Sequence, residues 1–296
     1  MQLQFVGCGD AFGSGGRYNT CFHVTGESVN FLIDCGASSL PALKRLDIGR
    51  DAIDLVLITH FHGDHFAGLP FLLLDAQFSR RTRPLVIAGP DGIETRLAQV
   101  MEALFENSSK TKQRFELSVV ALNPEQTRSF GAVKVTPYPV VHGESGGLFL
   151  AYRIEAEGRV IAYSADTEWT ETLIPAARDT DLFVAEAYTY DRIVKNHLSL
   201  ATLEAHLAEI RPKRLVLTHM SDDMLGRLDT LAHTAATVWS WSCSFCYLAP
   251  LAGRGRIRAT ARIRVRGSHS IRLTSAFAEA APHPSPLPAR AGRGRR

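Results

Sequence analysis

Thr59-His60-Phe61-His62-Gly63-Asp64-His65 places four metal-ligand side chains within six residues, in the order His-x-His-x-Asp-His. The run before it, Ile53-Asp-Leu-Val-Leu-Ile58, is mostly apolar and β-branched and predicts a strand. The segment after it, from Phe66 to Leu74, predicts the start of a buried helix. A strand that ends in a ligand-dense loop sets imidazoles and a carboxylate at the rim of a sheet, where open α/β architectures place their chemistry. A single His near a strand end is ordinarily a surface group. Three His and one Asp at this spacing are costly to bury without a cation. Neutral imidazole with carboxylate is a donor set that suits Zn, Mn or Fe.

The remaining composition bounds the class of protein. With 296 residues, 45% of them hydrophobic and 21% charged, the chain is long enough for a substantial core and ordinary for a globular protein. The N-terminus, Met1-Gln-Leu-Gln-Phe-Val-Gly7, reads as a first strand rather than a signal peptide. The longest apolar stretch, 238–253, is broken by Ser240, Ser242, Ser244 and Pro250 and is too short to span a bilayer. Five Cys without a secretory signal predict reduced thiols in a cytoplasmic protein. Cys243-Ser-Phe-Cys246 has redox or zinc spacing, but no second pair accompanies it.

Charge divides the chain in two. Residues 237–296 hold eleven Arg, no Lys and one acid, Glu279. Taking these from totals of 33 basic and 30 acidic residues leaves 22 and 29, so the first 236 residues carry a net charge of −7. The expected organisation is therefore a folded domain over 1–236 and an Arg-rich, disordered tail over 237–296. Such a tail can bind nucleic acid through phosphate contacts. Its Arg-without-Lys composition and its end, from Pro282 to Arg296, instead read as GC-rich DNA translated outside its frame, with the native frame lost near 235–240.

Within 1–236, strand-like runs alternate with helical ones. The strands expected are Leu3–Val6, Phe22–Val24, Asn30–Ile33, Leu55–Thr59, Leu85–Ala88, Val133–Tyr138, Phe149–Ile154, Val160–Ser164, Leu182–Ala185 and Arg214–Thr218; the helices are Ser39–Leu46, Leu69–Ala76, Gly92–Phe105, Thr170–Ala177 and Leu200–Ile210. Hairpins and βα units together predict an α/β fold of two mixed sheets packed face to face with helices outside. A pair of catalytic cations needs more ligands than one loop supplies. His142, Asp166 and His219 each follow an apolar run and complete the set, with Asp166 suited to bridge because a carboxylate has two oxygens. Asp54 is expected at the surface. The Gly-rich loop Gly7–Arg17 lacks the Lys-Ser/Thr of a P-loop; its amides and Arg17 are candidate anion contacts, with a plain flexible loop the alternative.

These motifs resemble the metallo-β-lactamase-fold hydrolases and, among them, the ribonuclease Z group of phosphodiesterases. The resemblance is carried by Leu3-Gln-Phe-Val-Gly-Cys-Gly9, Leu32-Ile-Asp-Cys-Gly36, His60-x-His-x-Asp-His65, Ala88-Gly-Pro-Asp-Gly92, His142, Ile161-Ala-Tyr-Ser-Ala-Asp-Thr167 and Leu217-Thr-His-Met-Ser221, and covers about residues 1–225. It implies an αββα sandwich with a dinuclear zinc site, Mn or Fe being alternatives. One ion takes His60, His62 and His142; the other takes Asp64, His65 and His219; Asp166 is shared. It also implies that Glu186 and His197, the latter in a partial His-Leu-Ser match, relay a proton to the leaving group. Ser199 in any case suits the cap of the helix that follows.

Two departures weigh against tRNA processing. The 23 residues between His142 and Asp166 have room for a hairpin but not for the long arm with which bacterial ribonuclease Z clamps tRNA, and Asp222-Asp223 stand where Arg-Tyr commonly follows the last His-x-Ser. The acidic body offers RNA no broad basic track. The expected function is hydrolysis of a phosphodiester, by a nuclease or a small-molecule phosphodiesterase, with Asp64 both ligand and orienter of the attacking hydroxide. The alternatives are a thioester or lactone hydrolase on the same metals, or a non-catalytic binding protein. Partners are the ester substrate, RNA as a weaker candidate, no membrane, and a second copy of the chain, since related folds often dimerise.

Overall fold

Along β3, Asn30–Ile33, Phe31 and Ile33 turn to one face and Leu32 to the other, and the two faces enter different cores. This alternation is the two-residue period of a strand buried on both sides, and it recurs through the computed structural model, which describes residues 1–143 and 148–228 and the backbone of 262–264.

Two mixed sheets result. The first runs β13-β1-β2-β3-β4-β5-β6, with β1 Gln2–Gly7, β2 Cys21–Thr25, β4 Leu55–Leu57, β5 Leu85–Gly89, β6 Leu117–Ala121 and β13 Arg262–Arg264. The second runs β12-β11-β10-β9-β8-β7, with β7 Arg128–Phe130, β8 Val133–Val140, β9 Phe149–Ala156, β10 Arg159–Tyr163, β11 Leu182–Glu186 and β12 Leu215–Thr218. Strands β3 to β6 are parallel, as are β10 to β12, and the hairpins are antiparallel.

Leu3, Phe5, Phe22, Phe31, Leu57, Val135, Leu150, Tyr152, Ile161 and Val184 meet between the sheets. Outside the first sheet lie α1 Ser39–Arg45, α3 Leu69–Phe78 and α4 Ile93–Leu104, which bury Leu43, Leu69, Leu73 and Leu97 against Leu32, Val56 and Ile87. Outside the second lie α5 Leu173–Ala177 and α6 Leu200–Ile210, which bury Ile174, Leu203 and Leu207 against Phe183, Ala185 and Leu217. This is the expected αββα sandwich.

Several boundaries differ from the sequence expectation for physical reasons. Strands β6 and β7 were not anticipated: β6 is an edge strand half-buried along its length, and β7 is a three-residue edge reading Arg-Ser-Phe, so neither shows a clean alternation. The helix expected from Phe66 is two helices. The first, α2 Gly63–Phe66, runs through Asp64 and His65; the chain then breaks at Gly68 before α3 begins. Gly68 presses on the turn after β3: a Cβ there would lie 2.2 Å from the Gly36 carbonyl oxygen, and its N–H donates to Cys35 O at 2.8 Å. The β9–β10 hairpin closes on Glu157 and Gly158, both left-handed (φ 50° and 68°), as a two-residue primed turn requires.

Of the expected tail, residues 262–264 pair antiparallel with β1, Arg264 opposite Gln2 and Arg262 opposite Gln4. Residues 237–261 and 265–296, with Cys243 and Cys246, lie outside the described residues. Cys8, Cys21 and Cys35 are buried. No described helix is long and apolar enough to cross a membrane.

Two contacts hold the ligand loop to this frame. Arg81, buried, donates to the carbonyls of Arg50, Ile53, Arg83 and Pro84 and so fixes the entrance to β4. Gly36 allows the turn after β3 to touch the loop itself: a Cβ on it would lie 2.0 Å from the Asp64 carbonyl oxygen. Gly36→Ala is therefore expected to destabilise the fold by about 2 kcal/mol, within the usual cost of overpacking a closed contact, and to lower metal content in the same preparation. Urea unfolding and elemental analysis check this; a variant with unchanged midpoint and metal content contradicts it.

Candidate metal and catalytic site

Every candidate ligand lies just beyond the C-terminal end of a strand, on one rim shared by both sheets. His60, His62, Asp64 and His65 follow β4, His142 follows β8, Asp166 follows β10 and His219 follows β12. The sheets are tied together at this rim. Leu150 N–H donates to Thr59 O at 3.1 Å, and the Tyr152 hydroxyl donates to Ile58 O.

The seven side chains form two groups. One nitrogen from each of His60, His62 and His142 lies within 4.8 Å of the others, and so do donor atoms of Asp64, His65, Asp166 and His219. Asp166 Oδ2 stands between the groups, 3.2 Å from His65 Nε2, 3.1 Å from His219 Nε2 and 3.6 Å from His142 Nε2. Asp64 Oδ2 is 3.1 Å from His219 Nε2.

Three imidazoles are hydrogen-bonded on the ring nitrogen that faces away from the centre, and the fourth, that of His219, has there only an ion-pair contact. His65 Nδ1 bonds Asp34 Oδ2 at 2.7 Å, and His60 Nδ1 bonds Thr59 Oγ1 at 3.0 Å. His142 Nδ1 bonds Asn196 O at 2.7 Å, and His219 Nδ1 lies 3.4 Å from Glu186 Oε1. Such outer partners fix the tautomer and aim the other nitrogen inward.

The inward atoms fit a cation better than one another. His142 Nε2, left as a lone pair by the bond from Nδ1 to Asn196, meets His62 Nδ1 at 3.0 Å. His60 Nε2 and Asp166 Oδ1 are buried without a hydrogen-bond partner among the described residues. Unpaired buried polar atoms are costly, and a divalent ion at each group would satisfy them.

Charge is arranged to match. Burial, then the neighbouring imidazoles, hold His60 well below the ordinary histidine range. Burial also opposes protonation of His65 and His219, but the carboxylates outweigh it. Asp166 and Asp34 raise His65 well above its usual value, and Asp166, Asp64 and Glu186 raise His219 to about 10. Burial works against the Asp64 carboxylate, yet its bonds to His219 and His65 leave it well below the usual carboxylate range.

Glu186 and His197 adjoin the second group. Glu186 Oε1 bonds His197 Nδ1 at 2.5 Å, while Oε2 accepts from the N–H groups of Thr167 and Leu198 at 2.8 and 3.2 Å. Both oxygens are thus taken by protein donors, although Glu186 also belongs, with Asp166, His197 and His219, to a group that could hold a cation. Burial lowers His197, and the Glu186 bond and charge more than reverse it, so the imidazole stays protonated above its ordinary range. Ser199 caps α6, accepting from Thr202 N–H at 3.2 Å.

Sequence reasoning quoted Asp34 in a motif without giving it a task, and missed Thr59, Asn196 and Tyr188. Tyr188 stacks on His197 with ring centres 4.3 Å apart. Phe149 walls the first group, 5.3 to 5.8 Å from His60, His62 and His142. A charged residue ending an otherwise apolar strand was a readable signal for Asp34; the others offered none. Asp54 is at the surface, paired with Arg83 at 2.8 Å. Arg17 turns inward, its guanidinium donating to the carbonyls of Ser14 and Met220, so it braces the His219 loop instead of facing an anion.

Comparison with known proteins agrees with this geometry. Ribonuclease Z of Agathobacter rectalis is 29% identical over 261 residues, covering 71% of this chain and 84% of its own. The anti-Pycsar protein Apyc1 of Bacillus phage 010DV004 is 28% identical over 241 residues, covering 76% and 90%. The metallo-β-lactamase-fold protein YhfI from Bacillus subtilis superposes with a TM-score of 0.68 at 22% identity, covering 83% of this chain and 95% of that one. The family described as anti-Pycsar protein Apyc1 matches residues 1–235. The chain belongs to that family, and is a metal-dependent phosphodiester hydrolase of the metallo-β-lactamase fold.

Proposed function

We propose that the chain hydrolyses a small phosphodiester at a dinuclear zinc site. His60, His62 and His142 would hold one ion, Asp64, His65 and His219 the other, with Asp166 shared. The observation that carries the reading is the Glu186–His197 pair beside the second group, because a held, protonated imidazole serves a leaving group that departs poorly. A thioester or lactone has less need of one. The small substrate is favoured over tRNA by the short connection between His142 and Asp166, whose described part is the β9–β10 hairpin.

Bound divalent ions supply the charge that makes a water acidic near neutral pH and neutralises phosphoryl oxygens. The protein's own groups do the rest. Asp64, held ionised by His219 and His65, accepts a hydrogen bond from the attacking water and aligns it. His197 gives its Nε2 proton to the departing oxygen, while Glu186 on Nδ1 stabilises the imidazolium and fixes its direction. Tyr188 and Phe149 limit ring movement and exclude water on two sides.

We also propose that residues 1–236 form the whole working unit and that 237–296 come from a shifted frame. A chain ending at 236 is expected to keep turnover within about twofold, roughly the 0.4 kcal/mol that separates such rates; sequencing of the locus gives the independent answer. Loss of folded protein on truncation, or an intact frame with a phenotype on tail deletion, contradicts the proposal.

Metal uptake should depend on pH with a definite sign. His65 and His219 have raised values, so without a cation they carry protons at neutral pH, and binding must expel them. Apparent zinc affinity therefore rises with pH from neutrality towards about 10 for His219 and falls as pH drops, by roughly tenfold per unit for each proton expelled. Titration of the metal-free protein in buffers of different ionisation enthalpy reads the proton release, and pH-independent uptake contradicts the assignment.

His197→Ala separates the substrate classes. Turnover of a diester with an alkoxide leaving group should fall about 100-fold or more, the usual share of general acid catalysis, while bis(p-nitrophenyl) phosphate is nearly unaffected. The wild-type rate on the poor leaving group should decline as pH rises through the raised His197 value, and the variant should lack that limb. Equal losses on both esters would sink the relay. A panel of cyclic nucleotides, precursor tRNA, thioesters and lactones tests the size and class of substrate.

A further inference from the structure

Residues 194–197 make a tight turn, with His197 N–H donating to Val194 O at 3.1 Å. Asn196, its third residue, is left-handed with φ 69°, the position of a type II turn that Gly or Asn fills. Its peptide groups are both engaged. The N–H donates to Glu168 Oε1 at 2.8 Å, and the carbonyl accepts from His142 Nδ1 at 2.7 Å. Glu168 is in turn anchored beside His142. Its own N–H donates to Val141 O at 2.8 Å, and Val141 N–H donates to Thr167 Oγ1 at 3.1 Å. The rings of His142 and His197 are 4.8 Å apart. Three loops therefore meet at one residue: the loop with Asp166, the loop with His142, and the turn that leads into His197.

We propose that Glu168 and Asn196 are positioning residues that set His142 and His197 in register with each other. The role rests on the reading of His142 as a metal ligand and His197 as a proton donor. Glu168 holds the turn by the Asn196 amide. The turn then presents a carbonyl that keeps the proton of His142 on Nδ1 and leaves Nε2 facing inward. Because Asn196 and His197 are consecutive, a turn that drifts displaces the ligand's orienting partner and the proton donor together. Few side chains tolerate the conformation Asn196 adopts; β-branched residues are strained there, and Gly is not.

The test uses the full chain and four variants: Glu168→Ala, Glu168→Gln, Asn196→Val and Asn196→Gly. The amide oxygen of Gln still accepts the turn's N–H, and Gly accepts the backbone angle, so both should behave like the parent. Glu168→Ala and Asn196→Val should lose zinc from one of the two subsites at limiting metal, with affinity there down about 10- to 100-fold, as for other outer partners of ligand histidines. Turnover of a poor leaving group should fall more than that of bis(p-nitrophenyl) phosphate.

Nitrogen shifts of His142 in the metal-free protein give a readout independent of zinc and of activity: the Nδ1-protonated tautomer should dominate in the parent, Glu168→Gln and Asn196→Gly, and be lost in the other two. The proposal is overturned if Glu168→Ala keeps that tautomer, or if Glu168→Gln falls as far as Glu168→Ala. A parent protein that keeps the tautomer but binds no zinc would instead refute the metal reading alone.

Discussion

The site depends on one buried carboxylate. Asp34, at the end of β3, is fully enclosed and accepts hydrogen bonds from Thr59 N–H at 2.8 Å, from the Thr59 hydroxyl and from His65 Nδ1 at 2.7 Å. A carboxylate this deep is tolerable only with its acceptor capacity filled. Filling it pins both ends of the ligand loop to the neighbouring parallel strand. Thr59 passes the constraint on, because its Oγ1 also meets His60 Nδ1. Two ligands, one from each metal group, are thus oriented by the same acid. Gly36 and Gly68 follow from this: with the loop drawn onto the turn after β3, no side chain fits at either position.

The charge pattern explains why the buried histidines are not simply core residues. Asp34, Asp64, Asp166 and Glu186 lie among His60, His65, His142 and His219, almost all of them closed from solvent. Without cations the cluster is balanced only by protons on His65 and His219, whose neighbours raise them, while His60 stays neutral with an unpartnered Nε2. Protons satisfy the side where carboxylates concentrate and leave His60 Nε2 on the three-imidazole side without a partner among the described residues. Divalent ions satisfy both sides. The asymmetry also separates the two groups: apart from the shared Asp166, one offers imidazoles only and the other adds the Asp64 carboxylate, so they need not bind metal equally tightly.

Much of this was legible in the sequence, because each ligand is a polar residue directly after an apolar strand, and strand ends on a common rim are a property of the architecture. His142, Asp166 and His219 were found on that ground although 24 to 159 positions separate them from His60 and from one another. What sequence could not show were pairings set by the fold. Asp34 acquires its role from His65, 31 residues on. Asn196 acts through a carbonyl, which any residue has, and only its backbone angle distinguishes it. Arg17 resembled an anion contact by composition, but the fold gives it the carbonyl of Met220, 203 residues away. Strand β6 was missed because an edge strand half-buried on both faces carries no alternating pattern.

Strain at the site follows the same logic. Asp34, Ala165, Asn196 and His219 are left-handed without being Gly, with φ between 55° and 69°, and each is a functional residue or its immediate neighbour. A residue so placed costs on the order of 1 kcal/mol or more and persists only where its surroundings over-determine it. Here they do. Asp34 N–H donates to Leu57 O, and His219 N–H donates to Cys8 O, with the next carbonyl held by Arg17. Ala165 is fully buried in the core between the sheets. Sharp reversals at strand ends turn side chains that would otherwise follow the strand's alternation back over the rim. Two sheets with packed cores between and outside them supply the rigidity that offsets this cost, which is why a site built largely from loops at strand ends can hold its ligands to a metal's tolerance.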